Sequence, residues 1–286
     1  MAVSTHNKGF LLGYRLYVGA FFVFLAAPLI AAGTFAFNDS LFPALPWQGF
    51  TLDWFFNDTE PKLGMFHDRR LLRGLYYSGV IGVLVASLSV FVATCNAFLF
   101  VRGEFPAKNF FYILMILPLV IPGVILGISI LVMASNIANG MEDNFSIEIE
   151  MLRPGLPLVV LGQFSFITTI TSLVISARLK KFDSSMEEAA LNLGATRARV
   201  LRTVTLPFLR PAIIAAWIVA FLVSFENFNT TLFLVGSEAP LTITMFDRMA
   251  KVGSTPVLNA VSFFLIIGSG LLALVSVLVQ RDPPET

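Results

Sequence analysis

Long apolar runs separated by short polar stretches dominate this chain, and each run reads as a helix long enough to cross a bilayer. About 20 consecutive apolar residues are needed, because the hydrocarbon core holds no water and only intra-helix hydrogen bonds can satisfy the backbone there. Six segments qualify: Leu16 to Phe37, Gly74 to Val101, Asn109 to Ile137, Pro154 to Ala177, Pro211 to Val235 (interrupted by Glu226) and Val252 to Gln280. The uncharged run from Leu16 outlasts the about 7–15 residues of a signal h-region, so it is read as a retained first helix. The predicted fold is all-α integral membrane, a single domain over residues 1–286 with six transmembrane helices. An even number of spans puts both termini on one side.

Charge supplies the side. Basic residues stay in the cytoplasm during insertion, and placing both termini inside leaves twelve of the nineteen Lys and Arg residues there, among them Lys8, Arg15, Arg102, Lys108, Arg178 and Arg281. Arg69, Arg70 and Arg73 fall outside and locally weaken the bias. Of the outer segments, Asn38 to Asp68 carries Trp47, Trp54, Phe55 and Phe56, which suits a short helix or turn with its rings at the membrane interface. Ser135 to Arg153 presents Glu142, Asp143, Glu148 and Glu150. Both termini are expected in the cytoplasm of a multi-pass membrane protein.

Composition agrees: 56% of residues are hydrophobic, 13% are charged, and mean hydropathy is +0.81. A formal net charge of +1 gives no reason to expect a nucleic-acid partner. Cys95 is the single cysteine and the two histidines, His6 and His67, are far apart, so no metal site is expected. Cys95, beside Asn96 in the second span, is expected to be a packed thiol. No nucleophile with a base, paired acids or Gly-rich phosphate loop followed by Lys-Ser/Thr is visible, so the chain is expected to be non-catalytic and to hold no cofactor of its own.

The polar stretch Lys180 to Arg210 breaks the apolar rhythm. Asp183, Ser184 and Ser185 offer N-cap oxygens, and Ser185 with Glu188 forms a capping-box pattern, which predicts a helix start. Met186, Ala189, Ala190 and Leu193 then recur at helical spacing as one narrow apolar stripe. Gly194 can take positive φ and end that helix, while Thr196 can cap a second one running to Pro207. An amphipathic helix lying on anionic lipid, with Arg197, Arg199 and Arg202 at headgroups, would explain the arginines but not Gly194 or the Leu206-Pro207 ending.

Glu188-Ala189-Ala190, three residues, Gly194, nine residues, then Val204-Thr205-Leu206-Pro207 resembles the EAA signature of binding-protein-dependent ABC importer permeases, with Val204 in place of Ile. The resemblance implies the type I (MetI-like) permease fold. It implies that Glu188, Ala189, Ala190, Gly194, Leu206 and Pro207 form the contact that couples the chain to an ATPase. It also implies partners: two copies of an ATP-binding subunit that hold the ATP and magnesium, a second permease subunit in a heterodimer, an extracytoplasmic solute-binding protein, and membrane lipid.

A carboxylate at mid-helix costs about 2.5–3.5 kcal/mol on insertion scales, so Glu226 calls for a reason. With Ser224, Asn227, Asn229, Thr230 and Thr231 it makes a polar stretch in the fifth span. Two compatible readings stand: the wall of a solute pathway, with Glu226, Asn227 and Asn229 facing it, and a hydrogen-bond network joining helices. In the third span, Pro118, Pro122, Gly123 and Gly127 are expected to shape or hinge the helix. Ser224-Phe225-Glu226-Asn227-Phe228 and Gly253-Ser254-Thr255-Pro256-Val257-Leu258-Asn259-Ala260 resemble stretches of the second permease of spermidine/putrescine importers. That resemblance implies a polyamine cargo, which a negative group in the pathway would favour. Related permeases carry ferric iron, thiamine, opines or phosphonates, and an ion-coupled secondary carrier built on Glu226 is the remaining class.

Overall fold

A computed structural model describes residues 8–280. His6, Arg281 and both chain ends lie outside the described residues. Six helices there are long and apolar enough to cross a membrane. In chain order the helices are α1 (Lys8–Phe35), α2 (Asp53–Phe56), α3 (Arg69–Arg102), α4 (Lys108–Val120), α5 (Gly123–Phe145), α6 (Leu156–Leu179), α7 (Ser185–Asn192), α8 (Arg197–Val200), α9 (Leu206–Phe225), α10 (Thr231–Leu234), α11 (Leu241–Val252) and α12 (Pro256–Gln280). The chain divides into two compact units, one of residues up to 72 with 247–268 and one of 73–246 with 269 onward.

In the first unit the connection between α1 and α3 is a folded segment organised by one amide. Asn38 is fully buried; its Oδ1 accepts from the Gln48 amide at 2.9 Å and its Nδ2 donates to the Ala44 carbonyl at 3.2 Å. Its own carbonyl accepts from Trp54 Nε1 at 2.9 Å. The Phe37 ring lies 5.4 Å from Phe50, 5.2 Å from Phe55 and 5.0 Å from Phe263. Burial of Trp54 and Phe55 therefore corrects the expectation that these rings lie at the membrane interface: they pack inward, while Trp47 and Phe56 stay exposed. The Lys62 ammonium bridges Asp39 and Asp53, and is held above its usual pKa chiefly by its hydrogen bond to Asp39. At the start of α3, Asp68 Oδ1 accepts from the Arg70 and Leu71 amides, and Asp68 pairs with Arg248.

In the second unit α6 is the most buried span. It packs on α9 through small residues such as Ala216 and Ala220, with α3 contributing Ile81, Val85 and Ala93 to the same core. Threonine and serine side chains join these helices: Thr168 Oγ1 donates to Ser89 Oγ at 3.3 Å, and Asn96 Nδ2 to Ser172 Oγ at 3.2 Å. Such bonds suit a membrane interior, where apolar surface gains nothing from leaving lipid and packing and polar contacts decide association. Cys95, expected in a packed position, is instead exposed on α3, because Ala93 and Ala97 take the inward positions of that turn.

Three span boundaries differ from expectation. The run from Asn109 to Ile137 is not one helix: Ile121 is extended and Pro122 begins the next segment, because proline has no amide to donate and disfavours α-geometry in the residue before it. The third span is α5 alone, reaching Phe145 and so taking Glu142 and Asp143 into its last turn. The fifth span ends at Phe225 rather than Val235. The last begins at Pro256, since Gly253 at φ +87° separates α11 from α12.

Candidate functional site

The predicted coupling segment folds as a short helix, a glycine turn and a second helix. Asp183 supplies the cap at the start of α7: its Oδ1 accepts from the Ser185 amide at 2.9 Å. The hydrogen bonds from Ser185, the backbone one first, hold the Asp183 carboxyl below the usual carboxylate range. The expected Ser185/Glu188 capping box does not form, because Ser185 already lies inside the helix, one position too late to receive its first free amides.

The far end of α7 is closed by a Schellman motif. The Gly194 amide donates to the Leu191 carbonyl at 2.9 Å and the Ala195 amide to the Ala190 carbonyl at 3.1 Å, with Gly194 at φ +84°. A Cβ at Gly194 would touch nothing within 4 Å, so backbone conformation alone requires the glycine. Glu188 and Ala189 are exposed, Ala190 is half-buried, and the stripe ends on Met186 at 55% and Leu193 at 89% exposure. The apolar face the periodicity predicts is thus formed and left uncovered.

The second helix begins where Thr196 Oγ1 accepts from the Arg199 amide at 3.4 Å. It does not stop at Pro207 as expected. A π-helical turn, Leu201–Thr205, carries α8 into α9, with the Leu206 amide reaching back to the Leu201 carbonyl. The reason lies in Pro207, which has no amide for the Thr203 carbonyl and whose ring crowds it; widening the turn before the proline relieves both problems. Leu206 and Pro207 therefore open a membrane helix instead of closing a surface one.

One residue absent from the sequence-based set ties this segment to the helices. Both Glu187 carboxylate oxygens lie 2.9 Å from Arg102 Nη1 at the last turn of α3, and Thr205 Oγ1 also donates to Glu187 Oε1. The Arg102 guanidinium sits 5.3 Å from the Phe98 ring and 5.4 Å from the Phe182 ring. Phe182 meets Phe208 edge-on at 5.0 Å, and Arg178 stacks on Phe208 at 4.2 Å. The EAA pattern singles out Glu188, whereas Glu187 is distinguished only by its neighbour in space, Arg102.

At the other end of α9 the polar stretch proves to be a helix end. Glu226 is the C-cap residue and is exposed, so it does not interrupt a helix interior, and Asn229 is exposed as well. Asn227 is drawn into the fold: its Oδ1 accepts from Thr231 Oγ1 at 3.0 Å and from the Thr231 amide at 3.3 Å. Thr231 in turn accepts from Gln163 Nε2 at 2.8 Å, and Ser224 Oγ donates to Gln163 Oε1. Gln163, 1% exposed, joins the two sides of the break after α9, and both ends of its amide have a partner. It is the only amide side chain within α6, and that isolation was the available signal.

Glycines bring α10 close to its neighbours. A Cβ on Gly162 would stand 2.2 Å from Leu234 Cδ1, and one on Gly127 would stand 2.8 Å from the Thr230 carbonyl oxygen. The hinge region predicted around Gly123 and Gly127 is thus where α5 receives α10. Of the predicted pathway residues, Glu226 and Asn229 are exposed and Asn227 joins the network. No group of three or more potential metal ligands occurs among the described residues.

Comparison with known proteins adds the following. Residues 79–281 match the family model described as binding-protein-dependent transport system inner membrane component. The putrescine transport system permease protein PotI of Escherichia coli K12 is 28% identical over 256 residues, 89% of this chain and 86% of that one. The spermidine/putrescine transport system permease protein PotC of the same strain is 27% identical over 266 residues, 93% of each. Among solved structures, a bacterial ABC transporter involved in the import of the acidic polysaccharide alginate superposes with a TM-score of 0.69 at 17% identity, covering 95% of this chain and 94% of its own.

Proposed function

We propose, from the premise that this chain belongs to the binding-protein-dependent transport system inner membrane component family, that it is the permease subunit through which an ATP-driven importer passes a polyamine. It is a multi-pass inner-membrane protein and contributes to the translocation pathway. The polyamine assignment draws on the likeness to PotI and PotC over about nine-tenths of the chain. Glu226, exposed at the end of α9 with Asn229 nearby in sequence, would offer a cationic solute a counter-charge. Asn227 would hold that turn in shape.

The observation that carries the coupling role is the uncovered face of α7. A helix of eight residues is marginal by itself; this one is capped at both ends, tied at Glu187, and still leaves Glu188, Ala189 and the Met186–Leu193 stripe free for another surface. Small side chains at its centre allow close approach of a partner. We assign that partner as an ATPase subunit, present in two copies, which binds the ATP and magnesium. This chain hydrolyses nothing. A second permease and an extracytoplasmic solute-binding protein complete the assembly, with both termini of this chain in the cytoplasm.

The test is to purify the complete importer and measure stimulation of ATP hydrolysis by its binding protein loaded with putrescine, spermidine, ferric ion or an anion. Stimulation by the amines alone is the expected result. Stimulation by another class overturns the polyamine assignment and leaves the permease role standing. Glu188→Arg should abolish uptake while the protein remains inserted; unchanged uptake in that variant overturns the coupling role of α7.

A further inference from the structure

We propose that Glu187 is a positioning residue that locks the coupling helix to α3 through Arg102, so that a displacement of α7 moves α3 together with α9. This rests on the reading of α7 as the ATPase-docking helix. Covalent connection alone links α7 to α6 before it and, through α8, to α9 after it; α3 ends more than eighty residues earlier in the chain and has no backbone route to α7. The side-chain route is short. Glu187 receives Arg102 from α3 on both carboxylate oxygens and Thr205 from the π turn on one of them.

Three physical features suit this contact to carrying motion. First, the charges sit at matching helix ends: Arg102 is the last residue of α3, where backbone carbonyls favour a cation, and Glu187 lies in the first turn of α7, where free amides favour an anion. Second, the pair is partly shielded, with side-chain exposures of 34% and 20%, and its guanidinium lies against the Phe98 and Phe182 rings, so water screens it less than an open surface pair. Third, Thr205 is fully buried, which fixes the point where Glu187 meets the start of α9. A guanidinium held on two rings, with one nitrogen shared between both carboxylate oxygens, resists sliding better than a single flexible contact. The neighbouring Glu188 makes the outward contact and Glu187 the inward one, so adjacent residues give α7 its two attachments.

The test uses the full importer in liposomes with Cys95→Ser and spin labels at Leu99→Cys on α3 and Leu191→Cys on α7, two exposed positions. The distance between labels is compared before and after trapping with ATP and vanadate. A single distance population that does not shift on trapping is expected with Glu187 and Arg102 intact. Arg102→Met or Glu187→Gln should split that population on trapping and lower binding-protein-stimulated ATP hydrolysis about tenfold, the size of a lost partly buried charge-assisted bond. The double variant should do no worse than either single one. A distance that shifts on trapping with both residues intact, or single-variant losses that add in the double variant, overturns the proposal. Should Arg102 variants fail to assemble, Thr205→Val keeps the ion pair and removes one bond; an unchanged distance distribution and unchanged stimulation there also overturn it. Docking is read separately from the Leu191 label, which the added ATPase subunit must immobilise. Failure of that immobilisation sinks the docking reading itself, whatever the distances show.

Discussion

The two ends of α9 solve the same problem with opposite chemistry. At its start, Glu187, Arg102 and Thr205 join three elements through a charge pair that remains partly open to solvent. At its finish, Gln163, Ser224, Thr231 and Asn227 join α6, α9 and α10 through neutral groups, and Gln163, Ser224 and Thr231 are almost wholly buried. Burial decides the difference. A charge pair taken fully out of water loses more in desolvation than it regains in attraction unless its geometry is excellent. An amide and hydroxyls that satisfy one another carry a smaller penalty and can close a helix break inside the membrane. The first arrangement suits a contact that carries load between elements near water; the second suits one that closes a buried helix break.

Substitutions can break this contrast at either end. The largest loss is expected from Gly162→Val, which drives a side chain into Leu234 at the closed end; overpacking of this kind costs about 2–3 kcal/mol and should appear as a clear fall in Tm of the detergent-solubilised complex. Gln163→Leu should follow, at about 1–2 kcal/mol, because it strands the Ser224 hydroxyl and leaves Thr231 with Asn227 alone. The same Tm assay checks it, and a neutral result would show that the hydroxyls find other partners. At the open end, Gly194→Ala should cost about 1 kcal/mol through positive φ alone and lower uptake more than it lowers Tm. Equal losses in both would mean that the turn serves stability only.

The mildest change is expected from Asp183→Ala, read as faster hydrogen exchange at the α7 amides with little effect on Tm. Its pH dependence has a definite sign. Because the folded-state pKa lies below the usual carboxylate value, the stabilisation from Asp183 is fully present above that value and fades as pH falls through the lowered one. Protection of the α7 amides should therefore be flat at neutral pH and decline only in acid. A decline at neutral pH would place the controlling group elsewhere.

Much of this was legible in sequence because long apolar runs and proline or glycine punctuation act locally. The six spans, the end of α7 at Gly194 and the Thr196 cap all follow from residues within a turn or two of each other. What failed were decisions made by distant neighbours. Glu188 is picked out by the EAA pattern, whereas Glu187 gains a role only where α3 places Arg102 beside it. The run through Asn109 to Ile137 has helical composition throughout, and only the local geometry before Pro122 divides it. Glu226 reads as a buried acid when the span is drawn through to Val235; once the helix ends at Phe225 it becomes an exposed terminal residue. Gln163 was visible as an isolated amide, but its partners are 61 and 68 residues away.

The π turn at Leu201–Thr205 fixes an angle as well as a path. Each residue of an α-helix advances the chain by about 100° around its axis, so the extra residue held in that wide turn sets the rotational phase between everything before it and the membrane helix after it. Removing one residue there would rotate α8 against α9 by about 100°, so that Thr205 would no longer point at Glu187. The angular setting of α7's attachment against α9 is therefore held by a single surplus residue, like a gear whose mesh depends on one tooth.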